Sequence, residues 1–473
     1  MFCGDWSSGD EILRISLSGG WKSREDFTDF DKLTNKSQLK VFIGPHEVAG
    51  YYSNLSKGMR EIGVDCDFVT FTDHVFDYGG QSKHPKLLKA SKFLKHLYVK
   101  KRNVLTLLLF ATTSVFLSSL WAIFAMFRYD VFIFGFGKSL LLNNLDLFFL
   151  KLLKKKVIAN LCHGSESRPP YMCGGHQAIM ERNKNGFEKL SKLTKAVFRR
   201  TRRFESYSEI VIGSAFSTSH FLKGKFVNSL VLGIPIDYDF SKTAFEKSKR
   251  ERGEETRILH CPSDPLAKGT AKILEAIGNL KKQGHQIRLI LLKGRPHAEV
   301  IEQLKLCDFV VDQIYSDTLL AGFAAEAAWF GKPAVVGGYG LERLKRLMSK
   351  EFCAPSLICH PEDVENAIEQ LILNPTKREN IGKDAQKFVT CHCQPGKVAA
   401  RYLRLIQDDV PKEWWLEAKD CNYYHGAGQS IMKTKQNIRG MVDLFGKKSL
   451  QLNHNSNLRK AMLNFAKLEI SSS

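Results

Sequence analysis

Several familiar sequence signals are missing from this chain of 473 residues. No two of its eleven cysteines form a C-x-x-C pair, and the closest couple, Cys391 and Cys393, is spaced too tightly for a zinc clip. The opening Met1-Phe-Cys-Gly-Asp-Trp lacks the basic and then apolar order of a secretory signal. We therefore expect reduced thiols in a cytosolic protein.

Acidic residues are scarce relative to basic ones. Seventy lysines and arginines face 49 aspartates and glutamates, which leaves a net charge of +21. Such an excess favours an anionic partner, and its sign alone does not choose among phospholipid, nucleic acid and a phosphorylated substrate. The chain's length and its 44% hydrophobic content are enough for two domains with buried cores.

The basic residues concentrate in two segments of the first half. Lys83 to Arg102 contains no acid, and Arg182 to Arg203 contains only Glu188. Apolar residues recur at helical spacing in both, so we expect two amphipathic helices that share one cationic surface. Neither segment carries interleaved aromatics or a nucleic-acid-binding motif, so we rank an anionic membrane surface above nucleic acid as the partner.

A run without any charge follows the first basic segment. Val104 to Phe127 is long enough to cross a bilayer. Crossing would separate the predicted strands at Leu39 and Cys66 from the strand Asp130 to Gly135, although all three read as members of one sheet. We therefore expect a helix pair packed under the sheet or a monotopic patch dipping into lipid beside the lysines, on the inner face of the membrane. A transmembrane helix is the alternative.

Short apolar runs alternate with amphipathic stretches over residues 256–338. Strands are predicted at 257–260, 287–292, 308–311 and 333–336. This alternation indicates a parallel sheet covered on both faces, and ligands bind such sheets beyond the carboxyl ends of the strands. Lys268, Lys293, Gln313 and Glu326 all fall there.

Two loops of the first half also follow predicted strands. The strand Leu39 to Gly44 leads through Gly50 into a helix, where backbone N–H groups can meet phosphate or acceptor oxygens; a simple tight turn explains this glycine equally well. The strand Val157 to Leu161 leads into a loop that places an imidazole, a carboxylate and a guanidinium together: His163, Glu166 and Arg168. A local pair of Arg168 with Glu166 is the structural alternative to a functional loop.

The order of motifs in the second half resembles the C-terminal domain of GT-B glycosyltransferases, most closely those of family 4. The motifs are Pro262-Ser263, Lys268-Gly269-Thr270, Asp312-Gln313, Gly322, Glu326-Ala-Ala328 and Gly331-Lys332-Pro333. The loop at His163 is similar to one in bacterial polysaccharide glycosyltransferases. The resemblance implies an α/β fold of the GT-B class, with two Rossmann-like parallel-sheet domains facing an interdomain cleft.

On this basis we divide the chain into five parts. They are an N-terminal extension at 1–37, an acceptor and membrane-facing domain at 38–240, a nucleotide-sugar-binding domain at 256–395, return crossing helices at 396–420 and a C-terminal tail at 421–473.

The resemblance also implies roles for individual residues. His163, Glu166 and Lys268 would be catalytic: His163 contacts the donor sugar or diphosphate, Glu166 orients or deprotonates an acceptor hydroxyl, and Lys268 stabilises the leaving diphosphate. The residues implied to bind the donor are Gly50, Gly269, Thr270, Lys293, Arg295, Gln313, Gly322 and Glu326. Two family positions differ, because Thr318 stands where the first glutamate is found and Ser263 stands where an arginine is common.

The expected function is the transfer of a sugar from a donor to an acceptor. The donor is a nucleotide-sugar, the acceptor is lipid-linked or a saccharide, and the configuration is retained. No Asp-x-Asp pair stands at a strand end to hold a metal with the donor, so we expect no metal and no other cofactor. The alternatives are a nucleotide-sugar epimerase of the same fold and a non-catalytic subunit that binds membrane and partner proteins.

Overall fold

The computed structural model describes residues 39–71, 85–100, 104–177, 185–237 and 255–467. Within them the chain forms two lobes, each built on a β-sheet. The predicted N-terminal extension, Lys83, Arg102 and nearly all of the predicted linker at 241–255 lie outside the described residues.

The first sheet has seven strands in the order β12-β6-β5-β4-β3-β1-β2. Their bounds are β1 Val41–Gly44, β2 Cys66–Phe68, β3 Val131–Gly135, β4 Lys156–Asn160, β5 Ile210–Gly213, β6 Lys225–Asn228 and β12 Trp415–Glu417. All neighbouring strands are parallel except β12, which runs antiparallel to β6. Adjacent residues such as Phe42 and Ile43 are both buried, because helices cover both faces of the sheet.

Helices from the first half pack on the two faces of this sheet. They are α1 Tyr51–Glu61, α2 Lys86–Lys100, α3 Val104–Arg128, α4 Asp146–Leu152, α5 Gly186–Tyr207 and α6 Ser229–Leu232. α1 shares a core with Ile43 and Ile133 on one face. α3, α4 and α5 share a core with Phe42 and Phe132 on the other face.

The apolar run predicted at 104–127 forms α3, and it does not divide the sheet. α2 and α3 pack side by side, and hydroxyl groups of Ser91, Ser114 and Ser118 bond between them at 2.8 Å. β1 and β3, which precede and follow this pair, are neighbours in the sheet. Among the described residues, α3 alone is long and apolar enough to cross a membrane, with a mean hydropathy of 1.8 over Leu108–Arg128.

The second sheet has five parallel strands in the order β11-β10-β9-β7-β8. Their bounds are β7 Thr256–His260, β8 Ile287–Leu291, β9 Phe309–Gln313, β10 Ala334–Gly337 and β11 Leu357–Cys359. The helices between and after them are α7 Thr270–Lys282, α8 His297–Leu306, α9 Gly322–Trp329, α10 Leu341–Lys345, α11 Val364–Leu373 and α12 Pro375–His392.

The end of the chain returns to the first lobe. It forms α13 Pro395–Ile406, then β12, then α14 Ile431–Phe445 and α15 Ser456–Lys467. α13 packs on α1, where Gly58 lets the backbone of Pro395 approach closely. α14 and α15 join the core beneath α5, and the hydroxyl of Tyr171 donates to the carbonyl of Leu450 at 3.0 Å.

Both sheets contain the same strand arrangement, β2-β1-β3-β4-β5 in the first and β8-β7-β9-β10-β11 in the second. The expected α/β fold with two Rossmann-like lobes is therefore confirmed. In such a sheet the strand order reverses between the first and third strands, and ligands bind in the crevice that opens there at the carboxyl edge. The loops after β1 and β3, and after β7 and β9, are thus the places where a site is expected.

Candidate active site between the two lobes

A cleft of about 510 Å³ opens between the carboxyl edges of the two sheets. This volume lies within the range of small-molecule sites, roughly 300–1,000 Å³. Four of the expected site residues line it: His163 from the first lobe and Lys268, Gln313 and Gly322 from the second.

Lys268 stands at the switch point of the second sheet. It belongs to the loop after β7, and its Nζ donates to Oε1 of Gln313 at 2.7 Å and approaches Oδ1 of Asp312 at 3.3 Å at the end of β9. Asp312 is buried, whereas the Lys268 side chain keeps part of its surface open to the cleft. The two strands that flank the crevice thus fix one cation at its mouth.

Internal hydrogen bonds and close packing stabilise the loop that carries Lys268. Gly269 precedes α7 in a left-handed conformation, φ 73°, and a Cβ there would press on Ile314. The N–H groups of Gly269 and Thr270 donate to carbonyls of the same loop, and the Thr270 hydroxyl bonds to buried His260 at 2.9 Å. Gly269 and Thr270 therefore support the loop behind Lys268, and neither residue lines the cleft.

The start of α9 forms another part of the wall. Ala321 and Gly322 line the cleft, and no side chain caps this helix end. The first N–H groups of a helix carry partial positive charge and suit an anion. Thr318 and Ser263, the two departures from the family pattern, also line the cleft.

His163 faces this cation from the first lobe. Its Nε2 lies 2.8 Å from the hydroxyl of Tyr52 on α1, and its ring packs edge-on against Tyr51. Burial lowers the pKa of His163 to about 4, with a smaller contribution from nearby His46. The imidazole is therefore neutral near pH 7 and held in one orientation.

Glu166 lies beneath the loop that carries His163. Its side chain is buried, and Oε1 accepts the backbone N–H of His163 at 2.7 Å. Burial raises the pKa of Glu166, although loop N–H groups and the guanidinium groups of Arg168 and Arg200 act in the opposite direction. Glu166 does not line the cleft, and its carboxylate supports the loop that carries His163.

Arg168 joins the two lobes. Its guanidinium donates to the carboxylate of Asp317, which belongs to the second lobe, and both groups line the cleft. Burial opposes the charge on Arg168, but the interactions with Asp317 and Cys173 together outweigh it, and the pKa of the guanidinium lies above its usual value. The alternative of a local hydrogen-bonded pair between Arg168 and Glu166 is not what the structure shows.

The amino end of α1, which the sequence suggested as a phosphate site, already binds a carboxylate of this chain. Gly50 begins α1 in a left-handed conformation, φ 79°, with Val48 and Ala49 beside it lining the cleft. The carboxylate of Glu47 accepts the N–H groups of Val48, Tyr52 and Ser53 at 2.7–3.1 Å. Gly50 therefore serves a turn at the cleft rim, and the helix end is capped by this chain's own carboxylate.

Like Gly50, Gly269 and Thr270, three further predicted donor-binding residues do not line the cleft. Lys293 and Arg295 are exposed beyond edge strand β8, and Arg295 lies 4.0 Å from Glu299. Glu326 on α9 bonds to His297 at 2.9 Å, and this bond raises the pKa of His297. A role for Glu326 at a ribose remains a prediction, and it requires the ribose to share the carboxylate with His297.

The C-terminal segment reaches the cleft, which no motif in the sequence indicated. Ala427 and Gly428 line it, and the Gly428 N–H donates to the carbonyl of Tyr315 in the second lobe at 2.8 Å. Ala427 also forms a bridge with Cys173 of the first lobe. The close spacing of Gly426 and Gly428 was the sequence signal for a tight turn here. Both glycines adopt a positive φ in the structure.

No family model and no curated protein matches the sequence. Solved glycosyltransferases show a distant structural likeness. HepE from Anabaena, in complex with UDP-glucose, is 11% identical with a TM-score of 0.44, covering 79% of this chain and 100% of its own. A glycosyltransferase from Rickettsia africae is 12% identical with a TM-score of 0.42, covering 79% and 99%. The catalytic domain of starch synthase IV from Arabidopsis thaliana, bound to ADP and acarbose, is 13% identical with a TM-score of 0.38, covering 79% and 99%. Any assignment of function to this chain therefore depends on the residues of its own cleft.

Proposed function

We propose that this protein is a glycosyltransferase that moves a sugar from a nucleotide-sugar donor to a lipid-linked or saccharide acceptor at the cytosolic face of a membrane. The observation that carries the proposal is the position of Lys268. Its ammonium group stands at the switch point of the second sheet, in a cleft shared with His163 of the opposite lobe. A cation in that place suits the diphosphate of a nucleotide-sugar.

The second lobe holds the donor in this proposal. Negative charge develops on the diphosphate as its bond to the sugar loosens, so fixed positive charge near it stabilises the transition state more than the ground state. Lys268 supplies a full charge and the open end of α9 at Gly322 supplies N–H donors. Gln313 keeps the lysine in place through its 2.7 Å contact.

The first lobe holds the acceptor. A neutral His163, oriented by Tyr52, can hydrogen-bond a sugar hydroxyl without adding charge. Because Glu166 lies beneath its loop, the proposal assigns the acceptor's proton to the leaving diphosphate. The new bond then forms on the face from which the diphosphate leaves, the proton passes to a diphosphate oxygen, and the configuration is retained.

A nucleotide screen followed by a transfer assay tests the proposal. Thermal stabilisation of the full chain by one nucleoside diphosphate would identify the donor's base. The matching nucleotide-sugar is then incubated with membrane extract, with and without EDTA, and label is followed into lipid and saccharide. We expect transfer that EDTA leaves intact; donor turnover without acceptor would instead indicate an epimerase, and binding without turnover a non-catalytic subunit.

A further inference from the structure

Helix α3 presents a continuous apolar stripe on the outside of the first lobe. One side of the helix packs on the protein, where Trp121, Ala122, Ala125 and Met126 are buried. The opposite side is exposed from Leu108 to Phe127. Its large exposed residues are Leu108, Leu109, Val115, Phe116, Leu120, Ile123, Phe124 and Phe127. Exposed apolar surface of this extent marks a contact with another molecule or with lipid.

The polar groups of this stripe are satisfied within the helix itself. The hydroxyls of Thr112, Thr113 and Ser119 donate to carbonyls four residues earlier, at 2.8–2.9 Å. In hydrocarbon no water is present to bond such groups, so an internal bond is the arrangement that lipid requires. Ser91 and Ser114 likewise turn their hydroxyls toward each other between α2 and α3.

A second exposed apolar patch lies on helix α4. α4 packs on the same face of the first sheet as α3. Its exposed apolar residues, with those of the turn before it, are Leu142, Leu145, Phe148, Phe149 and Leu152. Lys86 and Lys89 are exposed on α2, which packs against α3. Apolar residues flanked by cations are the combination that an anionic lipid surface binds.

The direction of α3 relates this surface to the cleft. The helix ends at Arg128, and Asp130 bonds to Lys40 at the amino edge of the sheet. Trp121 packs against Phe71, which lies just beyond the carboxyl end of β2. Trp121 also packs against Phe42 of β1, so the preceding residues of α3, 104–120, extend toward and past the carboxyl edge, by up to roughly 25 Å at 1.5 Å per residue. This is the edge at which the cleft opens.

The charge on α2 decides between crossing and lying flat. Because β1 and β3 are neighbours in the sheet, α3 could cross a bilayer only together with α2, whose sequence contains Lys89, Lys92 and Lys95. Carrying these charges to the bilayer centre would cost at least about 2.5–3.5 kcal/mol for each. Cations at headgroup level, by contrast, are favourable on an anionic surface.

We propose that α2, α3 and α4 form a monotopic membrane-binding surface that lies along one leaflet, with the α3 stripe in the acyl boundary and the basic residues among anionic headgroups. Only its link to a lipid-linked acceptor rests on the proposed function. The surface brings lipid to the rim of the cleft, so that an acceptor can reach His163 without leaving the membrane.

Flotation with lipid vesicles tests this surface. The full chain is mixed with vesicles of phosphatidylcholine alone and of phosphatidylcholine with phosphatidylglycerol. We expect binding that is stronger to the anionic vesicles. The variant Leu109→Glu/Phe116→Glu should bind at least about ten-fold more weakly, because two exposed apolar contacts are replaced by carboxylates. Leu373→Glu, at an equally exposed position on α11 of the second lobe, is the matched control and should bind as the wild type does.

Protease digestion of the vesicle-bound protein tests the topology. Protease added outside sealed vesicles should cut both before 104 and after 128, whereas a spanning helix would protect one of these sides. The proposal would be overturned if one side of α3 were protected from protease. It would also be overturned if Leu373→Glu lost as much vesicle binding as the α3 variant, or if a second copy of the chain covered the stripe in solution and abolished vesicle binding. Thermal stabilisation of the protein by a nucleotide, measured without vesicles, tests the donor site separately. The variant Leu109→Glu/Phe116→Glu should retain this stabilisation.

Discussion

Arg168 of the first lobe donates a hydrogen bond to Asp317 of the second, across the cleft that separates the two sheets. The residues are 149 positions apart in the chain, and each side chain is largely buried. Asp317 directly precedes Thr318, the position at which the family pattern places a glutamate. The cleft wall therefore carries a carboxylate next to the expected position, and this carboxylate holds the lobes together.

Removing one partner of this ion pair should destabilise the protein. Asp317→Asn leaves the buried guanidinium of Arg168 without a counter-charge, so we expect the free energy of unfolding to fall by about 3 kcal/mol in urea denaturation. Replacing both residues by apolar ones of similar volume should recover much of the loss. Glu188→Gln, in the exposed pair with Lys192, is the control and should change nothing measurable. Equal stability of Asp317→Asn and the wild type would contradict the role given to the pair.

Lys268 and Lys293 should differ in their importance for catalysis. Lys268→Ala removes the cation at the switch point, and loss of such a group typically lowers turnover by about 10²–10³-fold. Lys293→Ala removes an exposed cation beyond the edge strand, so we expect near wild-type turnover. Initial rates of sugar transfer at saturating acceptor measure both. Similar losses in the two variants would mean that the diphosphate binds nearer the edge of the sheet than the cleft.

Acid should destabilise the protein through two histidines. The folded protein holds the pKa of His163 and of His425 at about 4, in each case chiefly through burial, whereas an unfolded histidine titrates near 6.5. Above pH 6.5 both states are neutral and stability is unaffected; between about pH 6.5 and 4 only the unfolded chain takes up the protons. Each histidine should therefore lower the free energy of unfolding by up to about 1.4 kcal/mol per pH unit in this window.

Urea unfolding at about pH 7.5 and about pH 5 checks this dependence. His163→Gln and His425→Gln should each lose less stability on acidification than the wild type. Identical losses in all three proteins would show that neither histidine is held neutral by the fold.

Two helical glycines should respond oppositely to alanine. In Gly58→Ala the added Cβ would lie 2.1 Å from the carbonyl oxygen of Pro395, so we expect a loss of about 1–3 kcal/mol as α1 and α13 are pushed apart. In Gly278→Ala the new methyl meets nothing within 4 Å, and α7 should gain up to about 1 kcal/mol from helix propensity. Midpoints of thermal or urea unfolding give both signs, and a stabilised Gly58→Ala would contradict the close packing.

The sequence was sufficient for those parts of the molecule that depend on local pattern. Alternating apolar runs predicted β1 to β4 of the first sheet and β7 to β10 of the second, although they did not predict β11 or β12. The carboxyl-edge rule then located Lys268 and Gln313 in the cleft. Lys293 follows a strand in the same way, but the strand order puts β8 at the edge, and strand order depends on contacts between distant segments. The burial of Glu166 was likewise not predictable, because its place is set by Arg200 of α5, whose guanidinium donates to the Glu166 carbonyl.

Contacts over long sequence separations explain most of the features that the sequence did not predict. The bond between Tyr171 and Leu450 joins residues 279 positions apart, and no periodicity in either segment marks it. The predicted C-terminal tail carried no motif, yet Gly428 lies in the cleft wall. A residue that only completes a surface has no periodic sequence pattern, whereas apolar residues that repeat along a helix or strand do.

The return of α13, α14 and α15 to the first lobe has a consequence for biosynthesis. A ribosome releases β1 to β6 of the first sheet early, but β12 and the helices that close its core emerge only after the whole second lobe has been made. Until then the nascent first lobe exposes apolar faces, including Tyr171 and the surface of α1 that later receives α13. The second lobe, whose strands and helices are contiguous from 256 to 392, is free to fold first.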